Sequence, residues 1–102
     1  MAFVSGPVPE RFEREVTASA AEFERDLRKG SPCAVETVGP DHFRLYAGST
    51  RLDIHVAARG MRRLGALQLQ TIGVRYEFSG GNESDRRALL LPLDRAMQRG
   101  GG

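Results

Sequence analysis

The sequence predicts an α+β fold: a curved antiparallel sheet with two helices packed on one of its faces. Three observations point there. Period-two apolar alternation recurs in short segments, two further segments carry helical spacing and caps, and the order reads strand, helix, four strands, helix. Successive strands joined by short turns run antiparallel, and helices must cover the apolar side of the sheet they leave.

Residues 1–10, with Gly6, Pro7 and Pro9, read as a flexible arm. In RFEREVTA, Phe12 and Val16 share one phase and Glu13 and Glu15 the other. That pattern suits an edge strand, with a helical reading open. SAAEFERDLRKG is a short helix over about 20–29. Ser19 and Glu22 form a capping box, Ala20, Phe23 and Leu27 recur at helical spacing, and Gly30 follows a cationic end.

Four strands follow: CAVETV (33–38), HFRLYA (42–47), RLDIHVA (51–57) and LQLQTIGVRYEFSG (67–80), with turns at GPD and GST. Cys33 reads as a small buried strand residue, and ARGMRR (58–63) as a basic turn. The last strand changes phase: Leu67 and Leu69 are odd, whereas Ile72, Val74, Tyr76 and Phe78 are even. A β-bulge near Gln70–Gly73 would bring both sets onto one core, with Gly73 suited to the distortion. In the closing helix Asn82 is the cap, Leu89, Leu93 and Met97 line one face, and Pro92 predicts a kink. Residues 11–99 are thus one domain, followed by a glycine tail at 100–102.

This element order resembles the half-domain of the TATA-binding protein fold, a strand–helix–four-strand–helix unit. The resemblance implies architecture only, since no sequence motif of that family accompanies it.

Composition bounds function. At 102 residues, 40% hydrophobic and 27% charged, the chain is an ordinary globular domain without a membrane-length apolar run or secretory signal, which leaves the cytoplasm as the expected compartment. A lone cysteine excludes an internal disulfide. Net charge is +2, yet of fifteen basic residues only Lys29 is lysine. Arginine suits planar recognition of anions, but its spread from Arg11 to Arg99 also fits a compositional bias.

The polar side of the sheet would carry Arg44, Tyr46, Arg51, Asp53, His55, Gln68, Gln70, Arg75 and Glu77. A solvated face laced with ion pairs is the plain reading; a platform for a partner is the functional one. Arg59, Arg62 and Arg63 add a basic cluster that could hold an anion. The candidate binding surface is therefore Arg44, Tyr46, Arg51, His55, Arg59, Arg62, Arg63 and Arg75. Asp53 and His55 share a strand face, but no nucleophile or oxyanion donor converges on them, and with His42 they lack metal-ligand spacing. No catalytic residue, metal or cofactor is expected. The terminal QRGGG is a single arginine–glycine copy that a helix stop explains. The leading expectation is a non-enzymatic interaction module, self-associating or docking a protein through the polar face or an edge strand. The alternatives are nucleic-acid or phosphorylated-ligand binding through the arginines, and carriage of a small apolar ligand between sheet and closing helix.

Overall fold

In the computed structural model, which describes residues 7–99, five strands and two helices follow in the expected order. They are β1 (Arg11–Thr17), α1 (Ala20–Gly30), β2 (Val35–Gly39), β3 (His42–Ala47), β4 (Thr50–Leu64), β5 (Leu67–Ser79) and α2 (Glu83–Arg99). The strands make one antiparallel sheet in the order β1-β5-β4-β3-β2. The segment 11–17, open between strand and helix, is an edge strand. β1 reaches the far side of β5 because α1 carries the chain over the apolar face before β2 begins the meander.

Even-numbered residues of β4 and β5 supply the sheet's share of the core: Leu52, Ile54, Val56, Ile72, Val74, Tyr76 and Phe78. Phe43, Leu45 and Val16 join them, and Phe23, Leu27, Leu89, Leu90, Leu93 and Met97 close over them from the helices. Both helices therefore lie on one face. Their caps form as the sequence dictates. Ser19 and Glu22 exchange hydrogen bonds at α1, and Asn82 and Asp85 do the same at α2. The helices cross where Gly30 meets Ala96, an approach with no room for a side chain at position 30. α2 stays helical on both sides of Pro92.

Of the arm expected over residues 1–10, residues 1–6 lie outside the described residues, as does the tail at 100–102. Val8 is buried and clipped to α2. Its N–H donates to Glu83 and its carbonyl accepts from Arg86 Nε. Cys33 sits half-buried in the bend before β2 rather than on a strand, its N–H donating to Ser31 Oγ.

The largest departure concerns residues 58–70. The expected basic turn is strand: β4 continues to Leu64, and the reversal falls at Gly65–Ala66. A bulge exists, but on β4 instead of β5. Ala58 pairs with Ile72 and Gly60 with Thr71, so Arg59 is the extra residue. Gly60 takes φ 107°, a conformation that favours glycine, and its carbonyl accepts from Thr71 Oγ1. β5 is regular throughout, so its alternation carries Leu67 and Leu69 onto the open, helix-free face and Gln68 and Gln70 onto the helix side, opposite to expectation. Gly73 is no hinge for a bulge; the Arg59 guanidinium lies across it.

Candidate functional site

Strand alternation brings most of the expected surface residues to the open face. Arg44, Tyr46, Arg51, His55 and Arg75 stand there on three adjacent strands, in the registers Tyr46↔Arg51, Arg44↔Asp53 and His55↔Arg75. Cross-strand neighbours on one face lie close enough to interact, and here opposite charges face each other. Asp53, 6% exposed, is the hub. Its Oδ1 accepts from Arg44 Nε at 2.7 Å and lies 2.8 Å from His42 Nε2, while Oδ2 is 3.1 Å from Arg51 Nε. Burial alone would raise the Asp53 carboxyl. The hydrogen bonds from Arg44 and His42 and the charges of Arg44 and Arg51 outweigh it and hold the group below its ordinary range.

The histidines follow the same logic. His42 stacks on His55 with ring centroids 4.1 Å apart. His55 Nε2 is 3.1 Å from Glu77 Oε1, which Arg75 Nε also faces at 3.9 Å. Asp53 therefore orients His42 across the strands, not its strand neighbour His55. The carboxylates of this face engage Arg44, Arg51, His55 and Arg75, leaving a charge-compensated lattice. Tyr46, about half exposed, flanks it.

Arg59, Arg62 and Arg63 belong to a different feature. Past Thr17, β1 turns into α1, and β3 begins only opposite His55. The ends of β4 and β5 consequently extend as a two-stranded arm over residues 58–70. Two-stranded ribbons are marginal on their own in water. Arg59 and Arg62 reach back on the open face to Glu13 and Glu15, at 3.9 and 2.9 Å. Arg62, Leu64, Leu67 and Leu69 share that face; Met61, Arg63, Gln68 and Gln70 share the other. Met61, Leu64 and Leu67 are 61%, 54% and 64% exposed.

One constellation was not anticipated. Arg14 lies on the core face of β1, and its two Nη atoms grip both carboxylate oxygens of Asp94 on α2 at 2.5 and 3.0 Å. The guanidinium stands 5.2 Å from the Phe12 ring and 5.4 Å from that of Tyr76, and these two rings stack at 4.7 Å. Burial alone would lower the Arg14 pKa; the hydrogen bond and charge of Asp94 reverse this and raise it. Burial pushes the Tyr76 phenol up to about 12, and its hydroxyl has no hydrogen-bond partner among the described residues. The sequence held a clue: Arg14 is in phase with Phe12 and Val16, and Asp94 lies one turn after Leu90. Two opposite charges at core positions of two elements ask to be paired.

Among the described residues no cluster of three or more His, Cys, Asp and Glu side chains could hold a metal, and no helix is long and apolar enough to cross a membrane. No protein-family model matches the chain, and no curated protein matches it in sequence.

Proposed function

We propose that the protein is a non-enzymatic interaction module that self-associates through the leucine-bearing face and β5 edge of the β4–β5 arm. The arm's exposed apolar tip carries this reading: Leu64 and Leu67 face each other across the reversal, with Leu69 beside them. Charge is segregated to favour it. The arginines of the arm lie on β4, whereas its β5 strand reads LQLQ, without a charge, proline or bulge to protect its edge. The other edges are guarded, β1 by Glu13 and Glu15 and β2 by a register shift between Thr37 and Gly39. A second copy pairing β5 to β5 brings leucines to leucines and keeps the arginine strands outermost. Cytoplasmic residence goes with this reading, since Cys33 has no second cysteine to pair with.

Covering Leu64 and Leu67 on both copies gains on the order of 1–2 kcal/mol per side chain. An association cost of about 4 kcal/mol or more opposes it. The net gain is at most about 4 kcal/mol, so the dimer is weak, with Kd about 1 mM at best and dimer appearing only between roughly 0.1 and 3 mM protein. Sedimentation velocity across that concentration range should show a monomer–dimer equilibrium that Leu67→Glu abolishes without changing the fold. A monomer throughout would overturn the reading.

The second reading, binding of nucleic acid or a phosphorylated ligand, draws support from the arm and not from the open face, where own-chain carboxylates already engage Arg44, Arg51 and Arg75.

A further inference from the structure

We infer that the helix-side face of the arm binds double-stranded DNA, entering the major groove as a two-stranded ribbon. This goes beyond self-association, which uses the opposite face. From Ile54 to Tyr76 the chain carries Arg59, Arg62, Arg63 and Arg75 and no aspartate or glutamate. A polyanion approaching the arm therefore meets no carboxylate on it. The nearest ones identified by contact, Glu13 and Glu15, belong to β1 and pair with Arg59 and Arg62 on the open face. Both partners of each pair are more than half exposed, so a phosphate can replace the carboxylate at little cost.

The helix-side face supplies the recognition chemistry. The registers Met61↔Gln70 and Arg63↔Gln68 group Arg63, Gln68 and Gln70, all exposed. Among the described residues no side-chain hydrogen bond or ion pair engages them. Arginine donates in pairs to the acceptors of guanine, and glutamine bonds adenine in both directions. Met61 adds an apolar contact of the kind a thymine methyl accepts. A two-stranded ribbon fits the B-form major groove, about 12 Å wide, whereas the deep, narrow groove of duplex RNA excludes it. From Ala58 to the tip the ribbon reaches roughly 20 Å, enough to cross the groove.

The test is fluorescence anisotropy of the full chain with a labelled DNA duplex about two turns long, from about 50 to about 200 mM salt. Two arginines on phosphates, Arg59 and Arg62, give a log–log slope of about −1.8, hence affinity falling roughly 12-fold over that range. Arg63→Ala should weaken binding about tenfold and relax the preference for guanine, whereas Arg62→Ala should reduce the slope by about one. Gln68→Ala with Gln70→Ala should keep the slope and narrow the preference among duplex sequences. Amide shifts on adding duplex should be confined to residues 57–71, which also checks that each variant is folded. Absent binding at the lowest salt would overturn the inference. Equal affinity for duplex RNA, a slope indifferent to Arg62, or shifts centred on Arg44 and Arg51 would do so too. Since Leu64→Ser with Leu67→Ser alters only the other face and places no carboxylate on the arm, loss of dimerisation with DNA binding retained separates the two proposals.

Discussion

Replacing Asp94 by alanine should be among the most damaging single changes in the chain. Asp94 is fully buried, and the Arg14 guanidinium it holds is only 12% exposed. The substitution leaves a positive charge at the core boundary with its bidentate acceptor gone, where it cannot be neutralised by losing a proton. Removing one partner of such a pair costs about 3–5 kcal/mol. At about 4–8 °C per kcal/mol for a domain of this size, Tm should fall by 12 °C or more. Total stabilities run at about 5–15 kcal/mol, so the variant would be marginally folded. Arg14→Leu combined with Asp94→Leu removes both desolvation penalties and should lie close to wild type or above it. Urea denaturation of wild type, both single variants and the double variant measures the coupling directly. If Asp94→Ala costs less than about 1 kcal/mol with the denaturant slope unchanged, the pair is not a buried structural unit and the reasoning fails.

Three further outcomes follow from the same geometry. Gly30→Ala places a methyl against Ala96 at the helix crossing and should destabilise by about 1–3 kcal/mol in thermal melts, as overpacked contacts do. Stability should fall on the acid side. Asp53 and Glu83 have carboxyl pKa values held below their ordinary ones, Glu83 chiefly by the Val8 N–H bond, so their contribution is complete above about pH 5 and fades as pH drops through the ordinary and then the depressed values. Asp53→Asn should flatten that limb in pH-dependent unfolding. On the alkaline side the sign reverses. Tyr76 keeps its proton to about 12 when folded but loses it near 10 when unfolded, so stability declines between those values, and Tyr76→Phe should remove this decline at a neutral-pH cost under about 1 kcal/mol.

Much of this fold was legible because local rules and tertiary demands agree. Ser19 and Glu22 satisfy free donors whatever they pack against, and the 51–57 alternation leaves one way to bury Leu52, Ile54 and Val56. The misread region is the one where alternation is not enforced by burial. Beyond Val56 every residue of β4 is exposed, so strand residues there need not alternate between core and water, and an arginine-rich strand looks like a turn. The same gap explains the misplaced bulge. Assuming that Leu67 and Leu69 must be buried demands an extra residue in β5, but the assumption is what fails. Over β3 and residues 51–55 of β4 the open face carries the polar residues expected of it, yet its charge compensation depends on cross-strand register, which pairs Asp53 with Arg44 and His42 and cannot be taken from one strand alone. Arg14 and Asp94 are 80 positions apart, and only the packing of α2 on β1 brings them together.

The single inserted residue on β4 determines what the arm presents. Up to Ala58, even positions of β4 face the helices; after Arg59 the phase reverses, so Met61 and Arg63 face that side and Arg62 and Leu64 the other. Without the insertion, Leu64 would share a face with Gln68 and Gln70, and Arg63 would stand among Leu67 and Leu69. With it, leucine joins leucine and arginine joins glutamine, and one ribbon carries two chemically distinct surfaces. The insertion also turns Arg59 over Gly73, where it meets Glu13. Thr71 and Gly60 hold the distortion from the partner strand and from within. A bulge so supported, at the point where β1 ends, separates the part of the sheet that builds the core from the part free to bind.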